Sequence, residues 1–215
     1  MQITIREPGS AITHLVGMVL AAAATTPLLI KAALSGGTTL FALSIFCLSM
    51  ILLYGASTTY HSVSLSGTAL KIFRKIDHMM IFVLIAGSYT PICLIVLGGK
   101  LGYTLLAVIW GIALAGMLLK ACWVTCPKWF SSIIYISMGW VCVAVFGRLW
   151  NSLPHGAFGW LLAGGIIYTV GGIIYAIKPK YFDEKHKFFG LHEIFHLFVM
   201  GGSICHFIFM YFYVA

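Results

Sequence analysis

The sequence predicts an all-α integral membrane protein with seven transmembrane helices, and three observations carry that prediction. The chain of 215 residues is 61% apolar and only 8% charged, whereas an ordinary soluble domain is about 25% charged. Its charged residues are gathered between long stretches that hold none, and each stretch supplies the roughly 20 apolar residues that one spanning helix needs. No barrel-like alternation of apolar and polar residues competes, and helices satisfy their own backbone groups where lipid offers no water. The length leaves no room for a separate soluble domain, so residues 1–215 read as a single seven-helix unit.

The first span is expected at about 11–33. The preceding MQITIREPGSAITH carries acid as well as base and leads into no usual cleavage site, so this span reads as a retained insertion signal. The next uncharged stretch, 32–70, is too long for one helix. Gly36 and Gly37 break it in front, and a polar turn from Ser62 to Gly67 closes it, leaving a span at 38–62. Further spans follow at 76–98, 101–121 and 130–149. The sixth, 156–177, starts after the turn from Asn151 to Pro154, and the seventh is 190–214. Gly164-Gly165 and Gly171-Gly172 repeat a small face along the sixth span, as close helix packing requires.

Orientation follows from Lys and Arg. One side collects Arg6, Lys71, Arg74, Lys75, Lys120, Lys128, Lys178, Lys180, Lys185 and Lys187; the other holds only Lys31, Lys100 and Arg148. That bias predicts a cytoplasmic amino terminus and an outer carboxyl terminus. The same distribution accounts for the net charge of +8 without the basic stripe that nucleic acid would need, so no nucleic-acid partner is expected. Cys47, Cys93, Cys142 and Cys205 lie within apolar segments and read as small hydrophobes. Cys122 and Cys126, four apart, read as packing residues.

Ionisable groups inside spans are expensive and are therefore candidates for function. His61 ends the second span, Asp77 and His78 open the third, and His192, Glu193 and His196 open the seventh, so the threading brings them to one depth near one membrane face. Ser57 and His61, like His192 and His196, are four apart and share a helix face. Two histidines of one helix and a third from a facing helix make a three-nitrogen set with an open position, the catalytic zinc arrangement. An all-imidazole set favours zinc. Asp77 would then accept a proton from, or hydrogen-bond, water activated there, and Ser57 would hold that water or a substrate oxygen.

Plainer alternatives stand beside these roles. Asp77 would serve equally as the N-cap of the third span, and Ser57 as a bond to its own helix backbone. Packing is the simpler reading of His14, His78 and His206, and the loop positions His155 and His186 carry no site. His192-Glu-Ile-Phe-His196 also matches the H-E-x-x-H signature of zinc proteases. An intramembrane protease would require a later acidic ligand, and no acid follows Glu193. The metal-binding half of the motif survives this objection and the protease half does not.

Ser57-x-x-x-His61, Asp77-His78 and His192-x-x-x-His196, with EPGSAITHLVG, LYGASTTYHS, IAGSYTP and GGSICHF, resemble the hemolysin III branch of the progestin and adipoQ receptor family. The resemblance covers essentially the whole chain. It implies a seven-helix fold with zinc held by His61, His192 and His196, Asp77 and Ser57 nearby, and a bacterial plasma membrane location. It implies no role for Glu193. On function it points to a zinc-dependent hydrolase of lipid amide or ester bonds, ceramidase-like, or to a sensor in lipid homeostasis, with membrane lipids as partners and an acyl chain in the substrate. A pore-forming cytolysin with a structural metal, and a receptor whose zinc only staples helices together, are the competing readings.

Overall fold

Gly36 alone separates the first two helices, with φ at 122°, a left-handed turn that a residue without Cβ adopts at little cost. Gly98 and Gly99, at 58° and 51°, make the next comparably sharp link. Such short links force neighbouring helices to run antiparallel. The computed structural model describes residues 5–177 and 189–215, and these form seven helices long and apolar enough to cross a membrane. They are α1 Pro8–Ser35, α2 Gly37–Ser62, α3 Gly67–Leu97, α4 Gly99–Cys122, α5 Lys128–Ser152, α6 His155–Ile177 and α7 Leu191–Val214. Each coincides with an expected span. Lys178, Lys180, Lys185, Lys187 and His186 lie outside the described residues.

The largest departure is at α3, which begins nine residues ahead of the expected 76. Lys71, Arg74 and Lys75 end the apolar run, yet long unbranched side chains are good helix formers, so the helix continues beyond the apolar stretch. Ser66 occupies the N-cap position, and Asp77 lies ten residues inside the helix. It is therefore no N-cap. Lys120, counted as a topological charge at the edge of the expected span 101–121, belongs to the last turn of α4 and is buried, and His155 is the first residue of α6 rather than a loop residue.

Two irregularities shape the interior. Pro91 has no N–H to give, and α3 closes in a wider π-turn over Ile92–Leu97. The middle of α5 tightens into a 3₁₀ stretch, Trp140–Val145. Backbone groups there are taken up by Tyr89 of α3, whose hydroxyl donates to the Gly139 carbonyl at 2.6 Å and accepts from the Cys142 N–H at 2.8 Å. That is how irregular backbone is tolerated at membrane depth.

α1, α2 and α3 share a tight core around Leu28, Leu43, Phe46, Met50 and Phe82. On the other side α6 lies against α7: a Cβ on Gly171 would meet Phe198, and one on Gly164 would meet the His206 ring. Gly172 faces Ile136 of α5 instead, so the paired glycines serve two neighbours rather than one face. The outer surface is apolar. Trp123 and Trp129 stand exposed at one end and Trp150 and Trp160 towards the other, where amphipathic rings anchor at a membrane interface. Between these groups of helices runs a cavity of about 170 Å³, walled chiefly by α3, α5, α6 and α7.

Candidate metal centre

The start of α1 meets the end of α2 directly, the Glu7 N–H donating to the His61 carbonyl at 3.0 Å. α7 opens at the same end of the bundle. One ring nitrogen from each of His61, His192 and His196 falls within 4.8 Å of the others, and this set could hold a metal ion. His61 and His196 are each only 2% exposed. The spacing of four puts His192 and His196 on adjoining turns of one face, and antiparallel packing brings His61 across from them.

The rings are held from behind. The His61 Nδ1–H donates to the Glu7 carboxylate, an acceptor-only group, so His61 Nε2 is left with a free lone pair. Thr13 Oγ1 donates to a backbone carbonyl, Gly9 at 3.0 Å or Ser10 at 2.9 Å, and lies 3.0 Å from His196 Nδ1. With its one proton spent it accepts from that nitrogen, and His196 Nε2 is freed in the same way. His61 Nε2 and His192 Nε2 approach to 3.3 Å. A bare lone pair pointed at a second ring nitrogen invites a proton or a cation between them, and the donor set therefore fits a metal. A carboxylate or hydroxyl behind a ligating histidine fixes its tautomer and raises its basicity. The hydrogen bond from His61 holds the Glu7 carboxyl below the usual carboxylate range, against the opposing cost of partial burial, with help from Arg6 at 3.1 Å.

Asp77 and Ser57 line the cavity together with His192 and His196. Asp77 is 9% exposed, and its Oδ2 lies 3.2 Å from His78 Nδ1. The Ser57 hydroxyl is buried without a hydrogen-bond partner among the described residues, so it does not turn back onto its own helix as the alternative reading required. From these groups the cavity follows one face of α3, from Asp77 to Ile92, over about 22 Å at 1.5 Å per residue. Away from Asp77 and the histidines its wall is apolar apart from a few hydroxyls.

The remaining histidines and acids separate. His14 stacks on His196 with ring centroids 3.5 Å apart and planes within 10°, and its ring nitrogens are buried without partners among the described residues. It thus joins the cluster rather than the general packing. His78 and His206 also face the cavity. Glu193 instead caps the start of α7, accepting from the Gly190 N–H at 2.8 Å, and takes a hydrogen bond from Ser10. Its carboxylate is occupied in tying α1 to the start of α7. Glu7, Ser10 and Thr13 carry this support and escaped the sequence reading. Their signal was the i, i+3, i+6 spacing that gathers them along one side of the opening of α1.

Comparison with known proteins decides the family. Residues 2–207 match the haemolysin-III related family. This chain belongs to it. Hemolysin-3 of Bacillus cereus is 39% identical over 214 residues, covering 99% of this chain and 94% of that protein. The Hemolysin-3 homolog of Bacillus subtilis strain 168 is 40% identical over 212 residues, covering 98% and 95%. The haemolysin-III assignment and the seven helices together make it a multi-pass bacterial membrane protein.

Proposed function

We propose that this haemolysin-III family member is a zinc-dependent hydrolase of a lipid amide or ester, with His61, His192 and His196 as the metal-binding residues. One observation carries the reading: the histidine set opens, beside Asp77 and a Ser57 hydroxyl without a hydrogen-bond partner among the described residues, onto a long and largely apolar cavity. Three imidazoles with a fourth position open suit zinc. Bound there, zinc would supply Lewis acidity and bring the pKa of water towards neutrality.

The chain's own residues do the rest. The apolar face of α3 and the facing walls hold the acyl chain and keep bulk water from the bond to be cleaved. Asp77 takes the proton released as water adds to the carbonyl carbon and returns it to the departing amine or alcohol. Ser57 donates a hydrogen bond to the substrate oxygen on which negative charge grows. Glu7 and Thr13 keep His61 and His196 in the tautomer that turns Nε2 inward.

Protein reconstituted in vesicles with mixed amide and ester lipids should release fatty acid, and Asp77→Asn should stop the release while metal content stays at the wild-type level. Undiminished release from that variant would remove Asp77 as the base. The name that both relatives carry favours a second reading, membrane lysis, in which the metal only staples α2 to α7. Bilayer conductance that appears with the protein and survives Asp77→Asn would favour it.

A further inference from the structure

A second polar cluster lies where α4 passes into α5, apart from the histidines. Lys120 is 1% exposed. Its ammonium donates to Ser131 Oγ at 2.6 Å and to Cys126 Sγ at 3.0 Å, and Sγ and Oγ are 3.3 Å apart. The last turn of α4, where Lys120 sits, is the negative end of a helix dipole and favours its charge. No carboxylate among the described residues pairs with it. A buried ammonium without an anion is costly. The Tyr135 ring lies 5.8 Å from the ammonium, and of the two groups that it hydrogen-bonds, Ser131 stays neutral in water and Cys126 is the one able to become an anion.

Burial pushes the Cys126 thiol up, but the hydrogen bonds from Ser131 and Lys120 and the lysine charge outweigh it and hold the thiol below its ordinary value. Cys126 is buried as a packing residue would be, and it also shares polar contacts with Lys120 and Ser131. At 6% exposure the sulfur is shielded from bulky reagents, which leaves small uncharged electrophiles as its partners.

We infer that Cys126 is a Lys120-paired thiolate and a site of reversible oxidation by peroxides, a property independent of the metal centre. The sulfur lone pair attacks one oxygen of hydrogen peroxide; an S–O bond forms as the O–O bond breaks. Sulfur is oxidised by two electrons to the sulfenic acid, and the second oxygen leaves as hydroxide, which takes a proton from solvent. A small thiol condenses with the sulfenic acid to a mixed disulfide as water leaves, and a second thiol attacks that disulfide, freeing the Cys126 thiolate and carrying both small sulfurs away as their own disulfide. Because the sulfenic acid is uncharged, Lys120 loses its counter-charge.

The test uses the purified full chain in lipid nanodiscs, treated with hydrogen peroxide for set times, quenched with catalase, unfolded in dimedone so that every sulfenic acid is reached, and read by peptide mass spectrometry. Cys126 should be trapped faster than the exposed Cys122, with its reaction half-maximal below the ordinary thiol value of about 8.5. Lys120→Met should slow Cys126 about tenfold at neutral pH, and Lys120→Arg should restore most of the rate. Slower trapping at Cys126 than at Cys122, or an unchanged rate in Lys120→Met, would overturn the inference. Should Lys120→Met fail to fold, the pH profile of the unmodified protein decides: a midpoint at or above about 8.5 overturns it.

Discussion

His61 and Glu7 are joined twice, by the imidazole Nδ1–H donating to the carboxylate and by the Glu7 N–H donating to the His61 carbonyl at 3.0 Å. The first bond sets the tautomer, and the second fixes the start of α1 against the end of α2. A ring held at both levels presents Nε2 inward without paying the entropy of orientation when a ligand arrives.

Glu7→Ala should therefore weaken metal binding by about tenfold to a hundredfold, measured by competition with a chelating dye. Equal affinity would show that the carboxylate does not prepare the site. The pH behaviour has a sign as well. The folded carboxyl is held below its ordinary range, so the tie is complete above the unfolded value of about 4.3 and is lost only as pH falls through the lowered one. Amide exchange over residues 8–14 in metal-free protein should stay slow at pH 5 and quicken well below pH 4.

Ser57→Ala separates function from stability. Its hydroxyl has no hydrogen-bond partner among the described residues, so thermal stability should hardly change while lipid hydrolysis falls about a hundredfold, as for other lost donors to a developing oxyanion. A clear drop in melting temperature with activity intact would reverse the assignment.

Packing makes a contrast within one pair of glycines. Gly164→Ala would drive a methyl group into the His206 ring, whereas Gly165→Ala meets nothing within 4 Å. Overpacking should cost the first variant about 1–3 kcal/mol and the second far less, read by denaturation in detergent. Equal costs would argue against close approach of α6 and α7.

Membrane orientation is open to a chemical test. Cys122 is exposed at the end of α4, on the side that the basic residues predict to be cytoplasmic. In intact cells a membrane-impermeant maleimide should leave Cys122 unlabelled and should label it once the cells are opened. Labelling from outside would invert the topology.

The spans were legible because lipid demands uninterrupted apolar length, and Gly36-Gly37 and charged residues such as Lys100 punctuate it. The three histidines were legible because threading fixes depth: His61 at the end of α2 and His192 at the start of α7 must share one end. The start of α3 was not legible, since Lys71, Arg74 and Lys75 end an apolar run without ending a helix. Glu7, Ser10 and Thr13 look like any polar helix opening until α2 and α7 are brought beside them. Lys120 counted as a topological charge, and only the turn into α5 shows its contact with Cys126. Such side-chain pairings depend on tertiary approach, which periodicity does not encode.

Zinc titration of stripped protein, followed by calorimetry, tests most directly whether His61, His192 and His196 bind one metal ion. One site per chain is expected, tight in the wild type and lost in His196→Ala, with wild-type binding retained in Asp77→Asn. Absence of binding in correctly folded wild-type protein, or unchanged binding in His196→Ala, would contradict it.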